Sequence, residues 1–548
     1  MLILKKDQLK NNKDQFEEIG IKTPGFDFED VWERTKKEPA WLHFGGGNLF
    51  RAFHSVLQQR LLEQKATDKG IIVASTLDDE LIKKIYHPYD NLSLDVVMKA
   101  DGSFNMEVIA SVAESIATYE KESAWERLKE VARHPALQLI SLSITEKGYD
   151  LKDINGEIRK SALSEIKQGF DQPSRHTMIL LTSLLYDRYL NGKAPLALLS
   201  TDNFSHNGDK LKEAILIVAQ IWFENGVVEQ GFIDYLNDTK KITFPWSMID
   251  KITPLPSQSV QEKLIKRGFG SAELIQKREN GPFVAPFVNT EESEYLVIED
   301  NFPNGRPPLE EAGVYFTEQY VVDLVERMKV CTCLNPLHTA LAIFGCLLDY
   351  TSIADEMKDE DLQALVKGIG YDEGMKVVTN PGIIDPMEFI KEVIEVRFPN
   401  PNNPDTPGRI ATDTSQKLGI RFGETIKLYA ERNDLQITDL TFIPLTIAAW
   451  CRYLLGVNDA GKKMNISPDP ILEDLQQYLH GIEFGQPESV SNHLQPILSN
   501  ERIFGVDLYE VGLGNTIEEF FKQLIGGPGA VRETLHEQIQ KHENKVAY

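Results

Sequence analysis

Short apolar runs separated by amphipathic stretches characterise the first part of the chain. Each run holds about four or five apolar residues and ends in polar ones, a pattern typical of buried parallel strands joined by helical crossovers. The first run leads directly into a helical pattern, NLFRAFHSVLQQRLLEQ. The pattern therefore predicts an α/β fold, with strands in the segments WLHFGGG (41–47), GIIVAST (70–76), LQLISLSITE (137–146) and PLALLSTDN (195–203).

A change of pattern follows the segment EDNFPNGRPPLEEAG (299–313), which holds three prolines and two glycines. Such a segment indicates a linker or an irregular connection. Beyond it the apolar spacing is mostly helical, as in PLHTALAIFGCLLDY, PMEFIKEVIEVRF and a longer stretch beginning at YFTEQYVVDL. The sequence predicts a Rossmann-like, doubly wound domain over residues 1–305 and a mainly α-helical domain over residues 306–548.

Composition and charge narrow the classes of function. The 548 residues are 42% hydrophobic and 26% charged, which is typical of a globular protein, and no apolar run approaches the ~20 residues that span a bilayer. A formal net charge of −25 argues against nucleic-acid partners, and no membrane partner is expected. Four cysteines in a chain of this length do not form a disulfide framework, which favours a cytoplasmic location.

The turn after the first predicted strand has features of a dinucleotide site. Gly45 and Gly47 stand between the strand and a helix, where glycines let the backbone approach a pyrophosphate at the helix N-terminus. Phe50 replaces the third glycine of the usual pattern, so a simple tight turn is the alternative. Asp78 and Asp79 follow the second strand, where an acid binds the ribose 2′-hydroxyl and disfavours a 2′-phosphate. We therefore expect NAD rather than NADP.

Polar residues also follow the third and fourth predicted strands. Ligands of a doubly wound sheet collect outside the carboxyl ends of its strands, so these residues are candidates for the same site. Each residue alone is equally consistent with ordinary turn chemistry. The set comprises Thr145, Glu146, Asp202, Asn203 and His206.

The segment KVCTCLNPLHTAL (329–341) concentrates polar and ionisable residues in an apolar region. One interpretation is a zinc site, but the spacing matches no common closed site, and buried cysteines acting as small hydrophobic residues are favoured. No metal is therefore expected. The zinc alternative would use Cys331, Cys333, His338 and Cys346.

A second interpretation of this segment is a helix–helix elbow. Lys329 and His338 would lie on opposite faces of one straight helix, but Asn335 is a good N-cap and Pro336 suits the first helical position. A helix ending near Lys329 and another beginning at Pro336 would bring Lys329, Asn335 and His338 together. A lysine partly removed from water can serve as a base, whereas a solvated Lys329 would make the elbow purely structural.

Several motifs together resemble the polyol-specific long-chain dehydrogenases, in the same order along the chain. They are Gly45-x-Gly47-x3-Arg51, TEKGY, STDNFSHNG, FPWSMIDKITP and K…LNPLH, and the resemblance covers roughly residues 40–450. It implies NAD(P)-dependent, metal-independent interconversion of a secondary alcohol and a ketone. A small-molecule sugar acid or polyol is then the expected partner, and the sequence leaves the oligomeric state open.

The resemblance also implies roles for individual residues. Lys329 is the expected general base, Asn203 and Asn335 donate hydrogen bonds to the developing oxyanion, His338 orients the substrate, and Glu326 exchanges protons with solvent. The implied substrate-binding residues are Asp250, Arg409 and Lys417. The implied cofactor-binding residues are Gly45, Gly47, Phe50, Arg51, Asp78, Thr145 and Glu146.

One departure from the family pattern bears on the base. Five residues separate Lys329 from Asn335, where the family has four, and Lys329 would point elsewhere unless the extra residue is absorbed. The segments HPYDN (87–91) and KADGS (99–103) resemble those of the uronate reductases more than those of the mannitol dehydrogenases. This resemblance implies D-mannonate and D-fructuronate as the expected pair. The alternatives are mannitol with fructose, the tagaturonate reaction, and an NAD-binding sensor without catalysis.

Overall fold

The computed structural model describes residues 1–77, 79–153 and 155–546, and it divides the chain into two compact units. The first is Met1–Asp323 and the second is Leu324–Tyr548. The division falls within a helix, later in the chain than residue 305, where the sequence analysis placed the domain boundary.

The first unit contains parallel and antiparallel sheets with helices between the strands. Its strands are β1 (Ile21–Lys22), β2 (Trp41–Phe44), β3 (Ile71–Ala74), β4 (Ser93–Met98), β5 (Phe104–Ile109), β6 (Val112–Ile116), β7 (Leu139–Leu142), β8 (Leu196–Ser200), β9 (Ile242–Thr243), β10 (Ser247–Asp250), β11 (Ile275–Gln276), β12 (Phe283–Val284), β13 (Phe287–Thr290), β14 (Tyr295–Glu299) and β15 (Tyr315–Thr317). Its helices are α1 (Lys6–Asn11), α2 (Lys13–Glu18), α3 (Phe28–Lys37), α4 (Ser55–Glu63), α5 (Glu122–Arg133), α6 (Lys160–Ile166), α7 (Thr177–Leu190), α8 (Asn207–Glu224), α9 (Gln230–Asn237) and α10 (Gln258–Arg267).

The main sheet of this unit has six strands in the order β6-β3-β2-β7-β8-β9, and every pair is parallel. This is the doubly wound arrangement, in which the strand order reverses between the first strand, β2, and the fourth, β7. Leu42 of β2 lies opposite Ile72 on one side and Ile140 on the other. The prediction of a Rossmann-like α/β fold is confirmed.

The predicted strands form because their side chains are buried on both faces of the sheet. Every residue of β2, β3, β7 and β8 is buried, which is why these strands appear in the sequence as continuous apolar runs. Helix α7 packs on the same core and is buried over most of its surface. The strands therefore provide a rigid base whose carboxyl ends carry the candidate cofactor residues.

The proline-rich segment 299–313 connects two strands within the first unit. It leaves β14 and returns to β15, and these strands pair in parallel, so the segment is an irregular crossover and not a linker between domains. Residues 315–317, which the sequence analysis included in a helix, form β15 instead. The pairing of β15 with β14 overrides the helical pattern of the residues that follow.

The second unit is helical, and strands are absent from its described residues. Its helices are α11 (Gln319–Met328, which begins before the division), α12 (Asn335–Leu347), α13 (Ile353–Glu356), α14 (Glu360–Lys367), α15 (Pro386–Glu392), α16 (Pro407–Ile410), α17 (Glu424–Glu431), α18 (Phe442–Tyr453), α19 (Leu472–Tyr478), α20 (Gln495–Leu498), α21 (Glu501–Phe504), α22 (Gly514–Leu524) and α23 (Ala530–Val546). The prediction of a helical second part is confirmed.

Several helices contain a wider π-turn, in which each amide bonds to the carbonyl five residues earlier. In the first unit a π-turn occupies Phe50–His54, directly before α4. In the second unit Lys329–Cys333 follows α11, Val393–Arg397 follows α15, and Gly419–Gly423 precedes α17. Such turns accommodate an inserted residue within a helix and often occur at functional sites.

The segment Gln319–Leu347 is long and apolar enough to cross a membrane by length and composition alone. Its most apolar window, however, is 78% buried inside the protein. Within it, α12 buries apolar residues around most of its circumference, including Leu337, Leu341 and Phe344. The segment therefore has the character of a core helix.

Candidate functional site

The turn after β2 has the shape that a pyrophosphate-binding turn requires. Gly45 has a φ of +103°, and a Cβ there would lie 2.2 Å from the Ser143 carbonyl oxygen at the end of β7. Gly47 is open, because a Cβ at this position would meet nothing within 4 Å. The helix begins at residue 48, so its first amides, which have no partner within the helix, directly follow this turn at the end of β2.

Phe50 and Arg51 support this turn from inside the protein. Both are fully buried. Phe50 stacks on His43, with ring centres 4.4 Å apart. Arg51 donates hydrogen bonds to the Ala285 carbonyl at 2.7 Å and to Asn48 Oδ1 at 3.1 Å. Both side chains therefore hold the turn in place from inside the protein.

A chain of hydrogen bonds that the sequence analysis missed also fixes the Gly45 turn. His43 Nε2 lies 2.9 Å from Ser143 Oγ, and Ser143 Oγ donates to the Gly45 carbonyl at 3.1 Å. Burial lowers the pKa of His43 well below its ordinary value, so the ring is neutral. His43 stands among buried apolar residues in β2, and nothing in the sequence around it indicates that it holds the turn.

Of the two acidic residues after β3, the structure describes Asp79. Asp78, the predicted ribose-binding acid, lies outside the described residues. Asp79 is 7% exposed and is turned inward, where its carboxylate accepts from Ser75 Oγ at 2.6 Å and from the Tyr119 amide at 3.1 Å. Asp79 therefore holds the loop together, and Asp78 stays the predicted ribose-binding acid.

The loop after β7 is organised by Asp202. Its carboxylate accepts from the Ile144 amide at 3.0 Å, from the Thr145 amide at 2.7 Å and from the Tyr149 hydroxyl at 2.7 Å. These bonds hold Thr145 at a φ of +69°, a conformation that L-residues rarely adopt. Thr145 and Glu146 are exposed at this loop, and Glu146 pairs with Lys210 at 3.1 Å.

Asn203 is exposed in the turn after β8, next to the buried Asp202. The buried Asn207 joins this turn to β10, because its side-chain amide donates to the Asp202 carbonyl at 3.1 Å and to the Ser247 carbonyl at 3.0 Å. Asp250 ends β10 and is 7% exposed. The Asn207 side chain therefore joins the two segments that carry the candidate residues Asn203 and Asp250.

In the second unit a π-turn occupies Lys329–Cys333, the interval in which this chain has one residue more than the family pattern. The Leu334 amide donates to the Lys329 carbonyl at 3.0 Å, which closes the turn, and α12 begins at the next residue. Lys329 is 3% exposed, so the alternative of a solvated lysine is wrong. Glu326 lies one helical turn before it and is half-buried.

The expectation that Asn335 caps α12 is also wrong. Leu334 occupies the N-cap, with φ −130° and ψ −61°, while Asn335 and Pro336 are the first two helical residues. In the described part of the chain, the Asn335 side-chain amide has no hydrogen-bond partner, and the residue is partly exposed. The amide is therefore available to a ligand.

His338 lies one turn further along α12 in a cationic environment. Its Nε2 is 3.3 Å from Asp405 Oδ2, and its ring centre is 5.1 Å from that of Phe398. Burial, together with nearby positive charges, lowers the pKa of His338 to about 3. The ring is therefore neutral despite the adjacent carboxylate. The positive charges belong to Arg421, Arg397, Arg409 and Lys417.

The structure brings both predicted basic substrate residues into this group. Arg409 contacts the buried Asp405 and keeps a largely exposed side chain. Lys417 is half-buried and donates to the Thr412 carbonyl. Burial lowers the pKa of the Lys417 ammonium. Asp405, which no motif in the sequence indicated, touches both His338 and Arg409.

The geometry does not favour the zinc alternative. Burial raises the pKa of the Cys333 and Cys346 thiols to about 12, which opposes the thiolate form that zinc requires. His338 faces Asp405 and Phe398. Over the residues that the structure describes, there is no group of three or more histidine, cysteine, aspartate or glutamate side chains arranged to hold a metal.

Comparison with known protein families covers both units. The Rossmann domain of mannitol dehydrogenase matches residues 39–311, and the mannitol dehydrogenase C-terminal domain matches residues 322–525. A D-mannonate oxidoreductase of Thermotoga maritima is 53% identical over 96% of this chain and 97% of its own length. The chain belongs to the mannitol dehydrogenase family.

A more distant relative agrees with this membership, and two solved structures share the fold. A D-mannonate oxidoreductase of Escherichia coli is 26% identical over 81% of this chain and 86% of its own. Among solved structures, a D-sorbitol dehydrogenase in substrate-free form superposes with a TM-score of 0.77, at 23% identity over 95% of this chain and 97% of its own. The ternary complex of Pseudomonas fluorescens mannitol 2-dehydrogenase with NAD and D-mannitol superposes with a TM-score of 0.67, at 24% identity over 98% and 100%.

The protein is thus an oxidoreductase that acts on CH–OH groups. The fit of a nicotinamide dinucleotide is supported by two glycines, because Gly45 admits no side chain and Gly47 leaves its backbone open. When bound, such a cofactor supplies or accepts the hydride. The remaining chemistry, which consists of substrate orientation and proton transfer, belongs to the side chains of this chain.

Proposed function

We propose that the protein reduces D-fructuronate to D-mannonate with NADH and without a metal. The observation that carries the proposal is the 53% identity, over nearly the whole chain, to a D-mannonate oxidoreductase. The cationic group around the neutral His338 supports a substrate that bears a carboxylate. The preference for NADH over NADPH is supported by Asp78, which follows β3 where a ribose 2′-phosphate would meet an acid.

In this proposal Lys329 transfers the proton. Protonated Lys329 donates to the ketone oxygen during reduction, and neutral Lys329 accepts from the hydroxyl during oxidation. Its burial keeps competing water away, and Glu326, one turn earlier, exchanges the proton with solvent. The Asn335 amide donates to the oxygen as negative charge develops on it.

Neutral His338 orients the substrate by hydrogen bonding, because an imidazole with a pKa near 3 neither donates a proton nor repels a cation at physiological pH. Arg409 and Lys417 bind the acid. We propose that Asn203 of the first unit donates to the oxyanion in this reaction and that Asp250 of the same unit binds the substrate. The four free cysteines suit a reducing cytoplasm, where we place the protein.

The proposal is tested by following NADH absorbance with D-fructuronate, D-tagaturonate and D-fructose in parallel, with and without EDTA. Turnover of D-fructuronate that survives EDTA supports it, and a parallel assay with NADPH tests the cofactor preference. Preference for D-tagaturonate or D-fructose would replace the substrate. NADH binding without turnover of any of them would favour a sensor.

A further inference from the structure

Arg421 is a basic residue next to the candidate substrate site to which neither the family motifs nor the sequence pattern gave a role. It lies in the π-turn Gly419–Gly423, which packs against both α12 and the π-turn that carries Lys329. Its Nη1 donates to Thr339 Oγ1 at 2.6 Å. Because Thr339 directly follows His338, the guanidinium lies beside the segment that carries the neutral imidazole.

The hydrogen bonding of Arg421 differs from that of the buried structural arginines. Arg188 donates to five backbone carbonyls, among them those of Ala132 and Pro195, and Arg452 donates to three. Arg421, by contrast, has one hydrogen bond, to a neutral hydroxyl, and no ion pair with any carboxylate in the described ranges. Its remaining N–H donors are therefore unused by the protein.

This arrangement carries an energetic cost. Burial lowers the pKa of Arg421 to about 10, which reflects a guanidinium removed from water without a compensating acid. Lys417 lies four residues before Arg421 on the same side of this turn, and the two positive charges repel each other. In a chain of net charge −25, a concentration of positive charge of this kind suits an anionic ligand.

The backbone holds Arg421 in place. A Cβ at Gly423 would lie 1.8 Å from the Phe504 carbonyl oxygen, and a Cβ at Gly419 would lie 3.0 Å from that of Ile503. The two glycines thus let the π-turn press directly against α21. Because Arg421 lies between these glycines, its backbone is fixed before any ligand binds, which reduces the entropic cost of binding.

We propose that Arg421 is a specificity-determining residue that binds the carboxylate of the sugar acid through its unused guanidinium N–H groups. This inference rests on the proposed function and deepens it, because it names the group that separates a sugar acid from a neutral ketose or polyol. A planar guanidinium matches a carboxylate with two parallel hydrogen bonds, which neither Lys417 nor His338 can provide. The Arg409 guanidinium already contacts the carboxylate of Asp405, so we assign Arg409 and Lys417 to the rest of the sugar acid.

The test compares Arg421→Gln with the wild-type protein on D-fructuronate and on D-fructose at saturating NADH. Because the variant loses a charge-assisted hydrogen bond to the carboxylate, its KM for D-fructuronate should rise about 10- to 100-fold. The kcat/KM for D-fructose, which has no carboxylate, should change less than about threefold. Inhibition by D-mannonate should weaken in parallel with the KM for D-fructuronate.

Two controls separate specificity from folding. Arg432→Gln removes an exposed arginine of the same unit that pairs with Asp434, and it should leave both substrates unaffected. Thermal unfolding of Arg421→Gln should match or exceed that of the wild type, because an uncompensated buried charge is removed. Arg421→Lys should restore part of the affinity for D-fructuronate.

The outcomes distinguish this inference from the proposed function. If the wild type reduces D-fructuronate and Arg421→Gln keeps the same KM, the carboxylate lies elsewhere and the inference is overturned alone. Equal losses on both substrates would make Arg421 a residue that positions His338, which also overturns it. If the wild type does not reduce D-fructuronate at all, the proposed function itself fails.

Discussion

The Leu334 amide donates to the carbonyl oxygen of Lys329, five residues earlier, at 3.0 Å. A regular α-helix would pair residues four apart, so this bond marks one additional residue within the turn. The additional residue is accommodated before α12 begins at Asn335, and Lys329 stays buried. The five-residue spacing is thus compatible with a lysine that acts in the reaction.

Replacing Lys329 with alanine should lower kcat by about 100- to 10,000-fold, because the reaction loses its acid–base group. NADH binding, followed by fluorescence, should change little. Lys329→Arg keeps the positive charge but cannot release the proton at neutral pH, so it should be nearly as inactive. Near-normal turnover of the alanine variant would mean that another group transfers the proton.

The glycines of the first turn should respond differently to alanine. Gly45→Ala meets the Ser143 carbonyl and an unfavourable φ, so it should lower the melting temperature and abolish cofactor binding. Gly47→Ala meets no protein atom, so it should weaken NADH binding while the melting temperature stays unchanged. Calorimetry and an NADH titration of both variants provide the measurement. Equal melting temperatures for the two variants would contradict this account of the turn.

Replacing Asp202 with asparagine should loosen the loop after β7. The asparagine oxygen can replace Oδ1 and still accept from the Ile144 and Thr145 amides. The NH₂ group that replaces Oδ2 cannot accept from the Ile144 amide or the Tyr149 hydroxyl, and an unsatisfied buried donor costs about 1–3 kcal/mol. Both unfolding stability and NADH affinity should fall. Tyr149→Phe removes only one donor to this carboxylate and should cost less. An asparagine variant as stable as the wild type would show that the loop does not depend on these bonds.

Glu356 should make the protein less stable as pH rises. It is fully buried, neither carboxyl oxygen has a hydrogen-bond partner among the described residues, and burial raises its pKa from 4.5 to about 9. The folded state therefore binds the proton more tightly than the unfolded state does. Between those values stability should fall with pH, by up to about 1.4 kcal/mol per pH unit from this group.

Glu356→Gln should therefore stabilise the protein at pH 8 and have little effect near pH 4.5, as measured by chemical denaturation at the two pH values. Glu373→Gln is the matched contrast. Glu373 is also buried, but its carboxyl accepts from the Phe442 and Ile443 amides, so the same substitution should destabilise. If Glu356→Gln gave no gain at pH 8, burial would not be perturbing this carboxyl.

Much of the fold could be predicted from the sequence. The strands β2, β3, β7 and β8 are buried on both faces, so their apolar runs are continuous, and the change to helical spacing marks the second unit. The strand β15 escaped prediction because three residues paired with β14 carry no pattern of their own. A proline-rich connection looks the same inside a unit as between two units, so the segment 299–313 was ambiguous.

The candidate site was predictable where chemistry lies in short motifs, and not where it depends on distant contacts. Lys329, Asn335 and His338 stand close together in sequence. Asp202 and Asn207 act through bonds to other loops, and Arg421 reaches Thr339 across 82 positions of the chain, so sequence reasoning missed all three roles. The spacing Lys417-x3-Arg421 was the available signal, since it places two cations on one helical face.

The π-turn at Lys329–Cys333 also bears on how such proteins are recognised in genomes. A pattern search that demands a fixed number of residues between lysine and asparagine would discard this chain, although its backbone accommodates the added residue in one widened turn. An added residue before α12 widens one turn, whereas an added residue within α12 would rotate the buried side chains that follow it away from the core. The number of residues between two functional side chains therefore does not determine their separation, because a π-turn changes the path of the backbone between them.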